Sequence, residues 1–249
     1  MTNNIDNYLY HFTSFDNCIK IVLSQKLLFG RLKDMNDINE LYRPVFSGTF
    51  SEQSKANELI AKYQQISLCQ SGKKPGFDIP AMWGHYANKG NGVCIVFNKQ
   101  KLIERIEEHR LYHSKITYSD NYNSSIIFDV NYDYRKPFNQ KQMRRHFFIK
   151  TSDWSYEQEY RVIGYFPNSN SREALAFGDA ICGIILHNAS DIEETDSIFN
   201  SMQFRLLSKI FPEDNIYNYG FFIDERNLRN ASGSTIWSNV DWNHLTLNV

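Results

Sequence analysis

The stretch Asp153-Trp154-Ser155-Tyr156-Glu157-Gln158-Glu159-Tyr160-Arg161 leads directly into the apolar run Val162-Ile163-Gly164-Tyr165-Phe166. The composition predicts a strand over residues 157–166. Side chains on a strand alternate, so Glu157, Glu159 and Arg161 would share one face. Tyr160 and Val162 would take the other face, which can then serve as the core side. Two like charges on one face are costly to bury unless Arg161 neutralises one of them or a ligand binds there. The plain alternative is a solvated strand face carrying an ion pair.

Outward from this segment the chain reads as short strands with helices placed irregularly between them. Tyr8–Phe12 and Lys26–Leu32 have strand character, and residues 15–25 carry apolar positions at helical spacing behind Thr13 and Ser14 as caps. A polar helix is predicted over 52–64 and a strand over 66–70. Pro80 suits the first position of a helix bearing Met82, Trp83, His85 and Tyr86. Met82, His85 and Tyr86 fall near one face of it. Asn91-Gly92 marks a turn before Val93-Cys94-Ile95-Val96-Phe97, the best central strand, and Asn98 caps a helix to about residue 110. A strand over 115–118, a long Asn/Asp/Tyr-rich loop over 120–139 and a helix over 141–150 follow. Further strands and helices are expected at 181–187 and 192–207.

Strict alternation of strands and helices is absent, as is a Gly-rich phosphate loop, which argues against a doubly wound nucleotide fold. The expectation is an α+β fold, one domain over residues 1–249, with a mixed or antiparallel split sheet and peripheral helices. With 249 residues and 42% hydrophobic content the chain can bury a substantial core. Its net charge of -1 announces no nucleic-acid binder overall. Cys18, Cys69, Cys94 and Cys182 sit in separate apolar contexts, the pattern of buried thiols in a reducing compartment. No leader-like segment or membrane-length apolar run is seen, so the expectation is a soluble, cytoplasmic protein with no membrane partner.

Four clusters offer chemistry, each with a structural alternative. His11 and Thr13 share a face of the first strand, where a histidine is commonly a hydrogen-bonded structural residue. Asn36-Asp37-Ile38-Asn39-Glu40, near Arg43, reads equally as a capped helix entry. Trp83-Gly84-His85-Tyr86 reads equally as an aromatic helix packed on a sheet. The acidic segment, preceded by Lys150 and Trp154, is the fourth. The seven histidines show no tight ligand spacing, so no metal site is expected. Lys141, Arg144 and Arg145, with His146 and Phe147, form a basic and aromatic stripe that could guide a phosphate backbone, or a solvated helix face.

Taken in order, Tyr10-His11-Phe12-Thr13-Ser14, Asn36-Asp37-x-x-Glu40, Ser67-Leu68-Cys69, Met82-Trp83-x-His85-Tyr86-Ala87 and Lys150-x-x-x-Trp154-x-x-Glu157-x-Glu159-Tyr160-Arg161 resemble the bacterial domain-of-unknown-function 2971 family. Coverage runs over about residues 8–187, and Ile38 stands where that family commonly carries proline. The family in turn resembles a divergent branch of the ADP-ribosyltransferase superfamily, several of whose members are toxins in anti-phage systems. The resemblance implies NAD as substrate and an RNA, DNA or protein acceptor, together with a neutralising antitoxin. It implies roles for His11 on the adenosine ribose, Tyr86 (with His85 as its alternative) on the nicotinamide ring, and Glu159 as catalytic acid with Glu157 beside it. Thr13 and Arg161 would join the NAD contacts, Arg161 equally as a structural ion-pair partner. Two other readings stay open: a non-catalytic module binding a nucleotide or nucleic acid, and NAD hydrolysis without transfer.

Overall fold

Residues 5–35, 50–72, 74–120, 136–188 and 216–220 are described by a computed structural model. In chain order the strands and helices are β1 (Tyr8–Thr13), α1 (Phe15–Ser24), β2 (Lys26–Leu28), β3 (Gly30–Arg31), α2 (Phe50–Ile60) and β4 (Tyr63–Gln70). There follow α3 (Pro80–Tyr86), β5 (Val93–Asn98), α4 (Lys99–Glu108), β6 (Tyr112–Lys115), β7 (Thr117–Tyr118) and α5 (Gln140–Phe147). The last are β8 (Ile149–Lys150), β9 (Glu159–Tyr165), β10 (Ala174–Ala176), β11 (Ile181–Asn188) and β12 (Ile216–Gly220). This is the α+β composition expected, with pairing mostly antiparallel among the described residues and β11 parallel to β12. The cluster at residues 36–40 with Arg43, most of the 120–139 tract and the expected helix at 192–207 lie outside the described residues. Among the described residues no helix is long and apolar enough to cross a membrane.

The chain divides into two compact units. The first comprises residues 1–25, 69–102 and 177–249. Here β1 and β11 flank β5 in antiparallel register, with Tyr10 opposite Val96 and Ile184 opposite Ile95. Ser14 caps α1, its hydroxyl accepting from the Asn17 amide at 3.3 Å, and Cys18 and Val22 are buried. Asn98 caps α4 through the Lys101 amide at 3.0 Å. Pro80 takes the first turn of α3, as the sequence predicts, where a missing N–H costs nothing. All four cysteines are buried and none forms a disulfide, and burial pushes the Cys18 and Cys182 thiols up to about 12.

The second unit comprises residues 26–68 and 103–176. Its strands run β3 beside β4, β4 beside β9 and β9 beside β6, with β6 antiparallel to β9. One core gathers Tyr63, Phe138, Met143, Phe147 and Ile163. Tyr63 stacks on Phe138 at 5.2 Å, and its hydroxyl accepts from the Phe138 amide at 2.6 Å. A capping box at Asn139 and Gln142 starts α5, fixing which of its faces meets this core. Met143, His146 and Phe147 turn inward, leaving Lys141, Arg144 and Arg145 exposed.

Candidate functional site

The acidic segment departs from the predicted strand at its first residue. Ser152–Glu157 forms a 3-10 turn, and Gln158 follows in the left-handed region at φ 45°. A non-glycine residue there breaks the extended chain, so β9 begins at Glu159. Glu157 therefore does not share the strand face with Glu159 and Arg161. That face, moreover, is itself the core side, since Ile163 continues it into the aromatic cluster. Tyr160, on the other face, is also buried and hydrogen-bonds His113 through its hydroxyl at 2.6 Å. The solvated-face alternative is excluded by burial: Glu159 is 2% and Arg161 1% exposed.

Glu157 nevertheless reaches the same centre by another path. The Lys150 ammonium donates to Glu157 Oε2 at 2.6 Å and lies 3.3 Å from Glu159 Oε2. Arg161 grips Glu159 with two parallel bonds, Nε to Oε1 at 2.7 Å and Nη2 to Oε2 at 2.8 Å. Its third nitrogen, Nη1, donates to the Phe147 carbonyl at 2.7 Å. Two carboxylates and two cations thus close a network with no net charge. Such closure allows four ionic groups to lie inside a low-dielectric interior. Trp154, at the middle of the 3-10 turn, lies over the Lys150 ammonium at 4.8 Å. Tyr118 accepts from the Glu159 amide at 2.8 Å and is itself half-buried.

Burial by itself would raise the pKa of Glu159. The Arg161 charge, then Lys150, then hydrogen bonds from Arg161 and Ser67 outweigh it and lower the value to about 2. Glu159 is thus ionised across the physiological range. Because the folded value lies below the ordinary 4.5, its contribution to stability is complete above about pH 4.5 and drains away as pH falls toward about 2. Denaturant titrations over that window should show stability falling with a slope of up to about 1.4 kcal/mol per pH unit from this group. The slope should be smaller by that amount in a protein lacking both Glu159 and Arg161. Equal slopes in the two proteins would mean that Glu159 titrates normally.

Ser67, in the Ser67-Leu68-Cys69 block, joins this network although its local spacing carries no sign of it. Its hydroxyl hydrogen-bonds Glu159, and the residue is exposed on β4 while the carboxylate it touches is buried. Only the adjacency of β4 and β9 brings the two together, and nothing in local spacing signals that.

The remaining expected residues lie in the first unit. His11 is half-buried on β1 opposite Ile95, and Thr13 is buried opposite Val93. They occupy the face opposite Phe12, whose ring meets Trp83 edge-on at 5.1 Å. Trp83 is a packing residue, its indole donating to the Phe77 carbonyl at 2.7 Å. Met82 and Trp83 are the buried pair of α3, and His85 is exposed. A helix of only seven residues buries a narrow stripe, and the indole takes it. Tyr86 is half-buried with its ring 6.2 Å from that of His85.

Residues 82–162 match the family described as "Protein of unknown function (DUF2971)". The matched span contains both the Trp83–Tyr86 block and the network from Lys150 to Arg161, the specific parts of the resemblance. No curated protein matches the chain. Among solved structures, Thermus sp. 2.9 DarT in complex with ADP-ribosylated ssDNA aligns with a TM-score of 0.33 and 11% identity, over 82% of this chain and 89% of that one. A likeness at that score fixes neither fold nor chemistry.

Proposed function

We propose that the chain is an NAD-dependent ADP-ribosyltransferase with Glu159 as its acid centre. The observation that carries this reading is a carboxylate held ionised on a core strand, hydrogen-bonded by an exposed serine. Breaking the nicotinamide–ribose bond sends the bonding electron pair out with neutral nicotinamide and leaves positive charge on the sugar. A fixed carboxylate accepting from the ribose 2′-hydroxyl stabilises that charge more in the transition state than before it. An oxygen or nitrogen of the acceptor then bonds to the sugar carbon and loses its proton, for which Glu157 is the candidate base. The buried Gln65 amide, whose acceptor oxygen meets no donor among the described residues, fits a hydroxyl-bearing substrate at this centre.

For the acceptor, the exposed Lys141, Arg144 and Arg145 on α5 support a nucleic acid, whose phosphates such a stripe can follow. In a cell such an activity would arrest growth, so the proposal extends to an effector held in check by a neutralising partner.

A second reading is favoured by one observation. Both oxygens of Glu159 are already engaged by Arg161, as in an ion pair whose task is structural. The chain would then be a binding module without catalysis. Incubation with NAD labelled in the adenylate, together with RNA, DNA and protein fractions, separates these readings. Nicotinamide release with label on nucleic acid is the expected result, and label on protein instead would redirect the acceptor. Release without transfer would select NAD hydrolysis, and neither release nor label would leave the binding module.

A further inference from the structure

Gln65 lies two positions before Ser67 on β4, so the two side chains share a face. Gln65 is 2% exposed, and Oε1 has no hydrogen-bond partner among the described residues. Leaving a buried acceptor unmatched costs about 1–3 kcal/mol, and folds rarely keep such a group without a use for it. The other end of the amide is occupied: Nε2 lies 3.3 Å from Ser67 Oγ and 2.9 Å from Met35 Sδ.

The orientation of this amide follows from the ionic network. The Glu159 carboxylate is acceptor-only, so the Ser67 hydroxyl must donate to it. Ser67 Oγ can then only accept from Gln65, which turns Nε2 toward it and Oε1 away. Reversing the amide would set Oε1 against the Met35 sulfur and a serine oxygen whose proton is already committed, and would leave Nε2 stranded instead. A one-way relay thus runs from Gln65 through Ser67 to Glu159, and its far end is a fixed, buried acceptor. The neighbouring Ser67 is exposed, so the relay reaches solvent. Met35, which lies against the amide, is a flexible thioether seated over Gly30, where a Cβ would stand 2.4 Å from its Cε.

We infer that Gln65 is a specificity-determining residue whose Oε1 accepts a hydrogen bond from a hydroxyl of the ribose that Glu159 addresses. This inference rests on the transferase reading and names the part of the substrate that β4 recognises. Gln65→Met keeps the volume and removes both amide atoms, and Gln65→Leu repeats the change with a second apolar side chain. Each is expected to weaken equilibrium binding of NAD, and to raise KM, by about tenfold, with kcat changed by less than about threefold. Thermal stability should change little, because losing the Nε2 contacts to Ser67 and Met35 is offset by removing an unmatched buried oxygen. NAD lacking one hydroxyl of the nicotinamide ribose should lose affinity for the wild-type protein and lose little more for Gln65→Met. Unchanged NAD affinity in both variants, or a loss that tracks a lowered Tm, overturns the inference while leaving the transferase reading standing. A wild-type protein that neither binds NAD nor releases nicotinamide removes the transferase reading itself, and this inference with it.

Discussion

Replacing Arg161 with methionine is expected to cost about 3–5 kcal/mol of folding free energy. Arg161 makes three charge-assisted or carbonyl hydrogen bonds at 2.7 to 2.8 Å and is almost wholly enclosed. Methionine fills much of the space but leaves the Glu159 carboxylate dependent on Lys150, which is already bonded more closely to Glu157 at 2.6 Å. The Phe147 carbonyl loses its donor as well. Two carboxylates facing one ammonium in a dry interior is the configuration that burial penalises most, because the lost partner removes attraction while the desolvation cost remains. Urea denaturation at neutral pH reads the difference directly. The loss should shrink when pH is lowered toward 4.5 and below, since protonating Glu159 then relieves the uncompensated charge. A cost under about 1 kcal/mol at neutral pH would be that of a surface pair, and would place the network in solvent.

The elements that could be read from the sequence are those whose signals are local. Ser14, Pro80 and Asn98 each announce a helix start within a few residues, and each does so in the structure. The central strand β5 is apolar on both faces and is buried on both. The acidic segment is legible in the sequence as a charged cluster leading into a strand, but not in where that strand begins. Period two holds from Glu159 onward, yet Gln158 adopts a left-handed backbone that composition does not encode, so Glu157 arrives from a 3-10 turn. Lys26–Leu32 reads as one strand and resolves into β2, β3 and a 3-10 turn, because β2 pairs with β10 while β3 pairs with β4. The β4 contribution was out of reach for a different reason. Gln65 and Ser67 look like ordinary polar positions on a strand, and their relation to Glu159 exists only through strand adjacency. In the sequence Lys150 stands only as a neighbour of the acidic segment, yet it is the cation that joins the two acids.

The second large effect concerns Glu159→Gln, which keeps size and shape and removes the charge. On the transferase reading, nicotinamide release should fall by about 10²–10³-fold, the scale of losing one fixed electrostatic partner of the transition state. The network complicates that measurement in a specific way. With Glu159 neutral, Arg161 and Lys150 face the single carboxylate of Glu157, so the variant should also lose stability, by an amount comparable to Arg161→Met. Loss of activity in the single variant is therefore not enough to assign a chemical role. The pair Glu159→Gln with Arg161→Met restores charge balance, one carboxylate and one ammonium remaining, and should cost less than the sum of the two single changes. If this folded double variant stays inactive, the missing charge at Glu159 is what the chemistry needs. Recovery of nicotinamide release in the double variant would mean that Glu159 serves only to hold Arg161, and the acid centre lies elsewhere. Glu157→Gln decides between the two acids in the same assay. It removes the charge opposite Lys150, but the Arg161–Glu159 pair stays intact and Lys150 keeps Glu159 at 3.3 Å, so the variant should lose less stability than Glu159→Gln, bind NAD and still release nicotinamide while transfer to the acceptor slows. Abolished release in Glu157→Gln, beside retained release in Glu159→Gln, would reverse the assignment and make the residue on the 3-10 turn the one that stabilises the sugar cation.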